Sequence, residues 1–220
     1  MEDEDLYRFL HEAHASIGGQ LVTLCDGRTP WQVYEKERYI GDSRIDPCSK
    51  ILKRKLLDKW RNENCDPETS TFYVGIDWTE KHRLDRLQKL VAPWRYEAPL
   101  LAPPYTTKWM LLAELKEDGI EPPRLYKMGF AHNNCGGFCC KAGHSHFRHL
   151  LATMPDRYRY HEEQEARLRG LGINGAILKT QVGGIRRKIT LREFREAIES
   201  DTQGNLFEED DLAAGCGCAL

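Results

Sequence analysis

The segment "HNNCGGFCCKAGHSH", residues 132–146, gathers Cys135, Cys139 and Cys140, His132, His144 and His146, and three glycines into fifteen positions. Thiolates are soft metal ligands and redox groups, and glycine lets a backbone bend closely around an ion, so this composition suits a metal cradle, a redox thiol site or a glycine-rich loop. The chain holds eight cysteines in all, and without a secretory signal that usage points to metal, cluster or redox chemistry rather than structural disulfides. Cys25 ends an apolar stretch and Cys65 lies in a polar turn; both read as bystanders. Cys48 in "RIDPCSKILKR" and Cys216 and Cys218 in "AAGCGCAL" remain. Three thiolates from Cys48, Cys135 and Cys139, with a fourth from Cys216 or Cys218, suit a [4Fe–4S] cluster or, alternatively, tetrahedral zinc. Cys135 and Cys139 are separated by three residues rather than two, so the compact Cys-x-x-Cys knuckle is missing. Cys140 neighbours Cys139 and begins a predicted helix, where it is expected to be buried as a small apolar side chain. His144 is a candidate nitrogen ligand. His146 and His149 are expected on a partly exposed helix face, and His11, His14, His82 and His161 among solvated surface charges.

These side chains need elements to position them. With 220 residues, 40% of them hydrophobic, the chain is long enough to bury a core of its own. Its 32 basic and 34 acidic residues give a net charge of -2, which singles out neither a polyanion nor a membrane surface as partner. No apolar run spans a bilayer, and "MEDEDLYRFL" is acidic where a signal peptide is basic, so no membrane association and a cytoplasmic location are expected. "DLYRFLHEAHASIG" has helical apolar spacing, stopped by Gly18 and Gly19. "QLVTLCD" follows as a predicted strand. Thr29 and Pro30 open a helix, a longer one starts near Asp46, and "TFYVGIDW" is the clearest strand before the helix "TEKHRLDRLQKLV". This alternation predicts an α/β fold, with a central, mostly parallel sheet flanked by helices and with "QLVTLCD" and "TFYVGIDW" as parallel neighbours. The α/β part is expected over residues 1–130. Residues 131–220 read as a cysteine-containing helical extension and tail packed on it, with helices broken at Pro155, a hairpin turned at Gly183 and Gly184, and a last helix "LREFREAIES". The basic run "GGIRRKITLREFR" is compatible with nucleic-acid contact, and equally with a solvated hairpin edge.

At "RIDPCSKILKR", "YVGIDWTEKHR" and "NNCGGFCCKAG" the sequence resembles the phosphoadenosine-phosphosulfate reductase-like branch of the PP-loop, or adenine-nucleotide alpha-hydrolase, superfamily, over nearly its whole length. The resemblance implies a nucleotide-handling α/β fold and an activity on ATP or a sulfonucleotide, by cleavage at the alpha phosphate or by sulfur transfer. Some relatives carry a four-iron cluster. The resemblance marks Arg44 to Lys53 and Gly75, Asp77, Glu80 and Arg83 as matching segments, Asp77 standing where many relatives carry arginine. Arg44, Lys50, Lys53, Glu80 and Arg83 are also the charged side chains near predicted strand ends, where α/β folds place ligands. The substrate-binding candidates are therefore Arg44, Lys50, Asp77, Glu80 and Arg83. The family's Ser-Gly-Gly phosphate loop has no counterpart: "SIGGQ" precedes a predicted strand, whereas such a loop follows one. "GCGCAL" likewise differs from the reductases' nucleophile-bearing tail. Without that phosphate loop the nucleotide enzyme is expected to be inactive by itself; a cluster- or zinc-bearing module working with a nucleic-acid or protein partner in sulfur modification is the other expectation.

Overall fold

The computed structural model describes residues 1–182 and 185–200. Helix α1 (Glu4–Ile17) starts where the Asp3 carboxylate accepts the Asp5 amide and ends at Gly18, φ 77°, as the paired glycines predict. The predicted strand "QLVTLCD" does not form. Residues 20–26 have no regular structure, Leu21, Val22 and Leu24 are 36–39% exposed, and none of the described strands pairs with them. An apolar run becomes a strand only where a neighbouring strand takes up its backbone hydrogen bonds.

Helix α2 (Pro30–Glu37) opens with a reciprocal Thr29–Gln32 capping box and proline in its first turn, and it buries Trp31, Val33 and Tyr34. A short helix α3 (Pro47–Ser49) passes through a π turn (Lys50–Arg54) into α4 (Lys55–Asn64). Strand β1 (Thr71–Tyr73), helix α5 (Lys81–Val91) and strand β2 (Arg95–Glu97) make a β-α-β unit. Its strands are parallel, with Thr71 opposite Arg95 and Tyr73 opposite Glu97. The parallel neighbour of β1 is therefore the "WRYEAPL" segment and not "QLVTLCD". Ile76, Leu84 and Leu87 form a small core beneath this unit, and Phe72 stacks on Tyr96.

Helices α6 (Lys108–Glu117), α7 (Arg124–Lys127), α8 (His144–Thr153) and α9 (Pro155–Gly170) follow, with Pro155 opening α9 as the sequence predicts. Strands β3 (Leu178–Val182) and β4 (Ile185–Ile189) pair antiparallel, and α10 (Leu191–Ser200) closes the described chain. The predicted turn at Gly183 and Gly184, and the tail with Cys216 and Cys218, lie outside the described residues. The protein is a helix-rich α/β structure. Among the described residues its strands form one parallel and one antiparallel pair rather than a single central sheet. No described helix is long and apolar enough to cross a membrane.

The main core joins both halves of the sequence. Trp31, Tyr34 and Ile40 pack with Leu125, Phe130, Phe138, Phe147, Leu150, Tyr158, Leu168, Ile189 and Phe194. A buried carboxylate ties its far side: Glu165 on α9 accepts the Ile177 amide just before β3 at 3.0 Å and the Leu191 amide at the start of α10 at 2.6 Å. Both amides are shielded from water, so no solvent acceptor can replace the carboxylate. Glu165→Ala should lower stability by about 2–4 kcal/mol, the cost of two buried amides losing their acceptor. Glu165→Gln, which keeps one carbonyl oxygen, should lose roughly half as much. Urea unfolding of the three proteins measures this, and equal midpoints for wild type and Glu165→Ala would show that the clamp carries no load.

Candidate thiol site

Cys48 lies in the first turn of the helical run that begins at Pro47. Asp42, itself only 4% exposed, builds the turn that delivers it: its Oδ1 accepts the amides of Arg44 and Ile45, and Oδ2 takes the Tyr39 hydroxyl and the Lys179 ammonium. Burial works against this charge, but Lys179 and the two amides outweigh it and hold the carboxyl below its usual range. Tyr34 on α2, fully buried, places its hydroxyl 3.2 Å from Cys48 Sγ. Gly41 makes room for that ring, since a Cβ there would sit 2.9 Å from the Tyr34 oxygen.

The second thiol comes from the opening segment. Cys48 Sγ is 3.9 Å from Cys140 Sγ, ninety-two positions along the chain. Cys140, expected only as a small buried side chain, is thus the cysteine that meets Cys48. Cys140 is 3% exposed, whereas Cys48 is half-buried and reaches solvent. Hydrogen bonding with Cys140, opposed by burial and assisted by the Tyr34 hydroxyl and the Ser49 amide, pulls the Cys48 thiol down to about 7. Burial, and then the charges of the two thiols, push the Tyr34 phenol well up, so it stays protonated and donates.

Backbone strain and aromatic packing fix the loop that carries Cys140. Cys135 and Gly136 are left-handed, at φ 52° and 59°, and Gly137 follows at φ 83°. A Cβ on Gly136 would collide with the Arg157 guanidinium, which donates to the Gly136 carbonyl and pairs with the buried Asp3. His146 bonds the Gly137 carbonyl at 2.8 Å and His149 the Met128 carbonyl at 2.7 Å. Phe138 stacks on His161, ring centroids 3.5 Å apart, and the His161 Nδ1 accepts the Trp31 indole N–H at 3.0 Å. His161 is 1% exposed, which corrects the expectation of a solvated side chain. Burial and the nearby Arg157 push it down to about 3, so the ring is neutral.

The remaining candidates fall into two places. Arg44 and Lys50 are exposed on either side of Cys48, and Lys53 pairs with Glu2. Asp77, Glu80 and Arg83 lie just beyond the carboxyl end of β1. Asp77 caps a 3₁₀ turn (Trp78–Glu80) by accepting from Thr79, and Arg83 pairs with Glu80 at 2.5 Å. Cys25 is exposed, and Cys65 ends α4 half-buried. As for a metal, two thiolates on one zinc, each bonded at about 2.3 Å, stand roughly 3.8 Å apart by tetrahedral geometry, and the Cys48–Cys140 spacing matches that edge. A cubane places each thiolate on its own iron and spreads the sulfurs wider. Among the described residues no three His, Cys, Asp or Glu side chains converge as a metal ion needs, so those residues do not by themselves complete either cradle.

Tyr34, Asp42, Cys140 and His161 are the site residues that the sequence reading missed. The spacing of Trp31 and Tyr34 on a Pro-opened helix marks a buried face. The spacing of Tyr158, His161, Glu165 and Leu168 marks another in which polar residues take part. The Cys48–Cys140 contact has no local signal.

Comparison with protein-family models, with curated proteins and with solved structures finds no match to this chain.

Two outcomes follow from the thiol geometry. Because the Cys48 thiol lies at about 7 in the fold against an ordinary value of 9.0, its stabilising contribution is complete above pH 9.0 and is lost as pH falls through about 7. The stability difference between wild type and Cys48→Ala should therefore shrink over that interval as pH drops, and a pH-independent difference would refute the shift. Tyr34→Phe or Gly41→Ala, which remove or displace the hydroxyl, should move the pH midpoint of iodoacetamide alkylation at Cys48 upward. An unchanged midpoint would assign the shift to Cys140 and the helix start alone.

Proposed function

We propose that this protein is an enzyme of sulfur chemistry acting on an adenine nucleotide, with a sulfonucleotide the favoured substrate class, and that the Cys48–Cys140 pair is its reactive centre. The reading places the chain with the phosphoadenosine-phosphosulfate reductase-like PP-loop proteins, whose nucleotide chemistry it shares on this view. One observation carries it. "RIDPCSKILKR" and "NNCGGFCCKAG", two of the three segments on which the resemblance rests, are far apart in sequence and meet at a pair of sulfurs 3.9 Å apart. A thiol that ionises near neutrality beside a second thiol can form and break bonds to sulfur.

Asp77, Glu80 and Arg83 at the carboxyl end of a parallel strand pair, and the exposed Arg44 and Lys50 beside Cys48, are the side chains assigned to the nucleotide. Guanidinium forks suit phosphate and sulfate oxygens. Because the family's Ser-Gly-Gly phosphate loop has no counterpart in this sequence, intact ATP should bind more weakly than a sulfonucleotide.

A second reading is favoured by the match between the sulfur spacing and a zinc edge: a metal-bearing module in nucleic-acid sulfur modification. The exposed Arg186, Arg187 and Lys188 of β4 would then face a phosphate backbone. Iron, sulfide and zinc analysis of anaerobically purified protein separates the two, stoichiometric metal favouring the module.

Calorimetry with adenosine phosphosulfate, phosphoadenosine phosphosulfate and ATP tests the first reading. The expected result is sulfonucleotide binding that exceeds ATP binding and weakens about tenfold or more in Arg83→Ala, as loss of a charged hydrogen bond of about 1.5–3 kcal/mol requires. Absence of binding for all three ligands would overturn it.

A further inference from the structure

The two sulfurs differ in a way that assigns them an order. Cys48 is half-buried and keeps some contact with solvent, whereas Cys140 is 3% exposed and stands against the Cys48 sulfur. The Tyr34 hydroxyl, 3.2 Å from Cys48 Sγ, is placed to stabilise negative charge on that sulfur before and after it reacts. The buried thiol stands 3.9 Å behind it, so a disulfide of about 2.05 Å requires the sulfurs to close by roughly 2 Å, within reach of side-chain rotation. Cys140 shares its core with Phe138, which stacks on His161, and with Tyr34, whose ring lies close against Gly41.

We infer that Cys48 and Cys140 form a two-thiol relay that accepts a sulfane sulfur from a persulfide donor and releases it as hydrogen sulfide. The inference rests on the reading of this centre as one of sulfur chemistry and names the form of sulfur it takes. In the first step the Cys48 thiolate attacks the outer sulfur of a donor R–S–SH. The donor S–S bond breaks, R–S⁻ leaves with the electron pair, and a Cys48 persulfide forms. In the second step the Cys140 sulfur attacks Cys48 Sγ. The bond from Sγ to the outer sulfur breaks, the outer sulfur leaves with the electron pair, and the Cys140 proton departs on hydrogen sulfide. The two thiols have lost two electrons to form the Cys48–Cys140 disulfide, and the sulfane sulfur has gained both. An external dithiol reduces the disulfide and resets the pair.

Glutathione persulfide is the probe, applied under argon to the full chain after reduction and desalting. Wild type should release sulfide in proportion to protein, and peptide mass spectrometry should find Cys48 joined to Cys140. Cys140→Ser, and Cys140→Ala as a second variant that keeps the site apolar, should retain one extra sulfur on Cys48 and release none. Cys48→Ser should do neither, with circular dichroism showing that each variant folds. Sulfide release by folded Cys48→Ser, a disulfide joining other cysteines, or an unreactive wild type would overturn the relay. Sulfonucleotide calorimetry on the same preparations keeps the two proposals apart. A protein that binds the nucleotide but runs no relay refutes the relay alone; one that runs the relay without nucleotide affinity supports it and refutes the nucleotide assignment.

Discussion

The hydrogen bond from the Trp31 indole to His161 Nδ1 spans one hundred and thirty positions of sequence inside the core, and the geometry at the sulfurs hangs from it. A buried donor and a buried acceptor left unpaired would each cost about 1–3 kcal/mol, so the two side chains fix one another's orientation. Trp31 sets the rotation of α2 and hence the direction of Tyr34, three residues on and edge-to-face against it at 5.4 Å. His161 presents a flat face on which Phe138 lies, and Phe138 belongs to the loop that carries Cys140. Because the imidazole is neutral far below physiological pH, this junction does not titrate where the thiols do. This junction and the reactive pair therefore respond to pH independently.

Buried charge performs a second kind of joining. Asp3, Asp42 and Glu162 are all nearly inaccessible, and each is met by basic side chains from a distant segment: Arg124 and Arg157, Lys179, and Arg192 with Arg195. A nearly inaccessible carboxylate stripped of all its basic partners is left uncompensated, which for a fully buried charge costs about 3–5 kcal/mol. The pairs specify which surfaces meet more than they add to the strength of the meeting. The start of α1 is held to the cysteine loop in this way, because Arg157 serves both Asp3 and the Gly136 carbonyl.

Local chemistry was readable in the sequence, and long-range pairing was not. The Thr29–Pro30 helix start, the Gly18 stop, the Pro155 break and the helical run after Asp46 all depend on residues within one turn of one another, and each stands where periodicity and capping put it. "QLVTLCD" failed because a strand is a property of two segments, and apolar composition describes only one. The same limit applied to the cysteines. Spacing within residues 132–146 pointed to Cys135 and Cys139, and no local pattern could add the contact between Cys48 and Cys140, which lie ninety-two positions apart. His161 was misread for a related reason: helix α9 buries a stripe made partly of polar residues, which a hydrophobic pattern does not register.

The π turn at Lys50–Arg54 puts one residue more into the helix than an α-helical turn holds, and each residue rotates a helix by about 100°. The wider turn absorbs that residue, so the stretch that carries Cys48 and the stretch that carries Trp60 and the buried Arg61 keep the phase of a helix one residue shorter. Shortening residues 50–54 by one would let the run relax into a continuous α-helix with its C-terminal half in place. The sulfur would keep its heading toward Tyr34 and Cys140, whereas winding all five residues as α-helix would swing it about a quarter of the way around the axis and put the two thiols out of step.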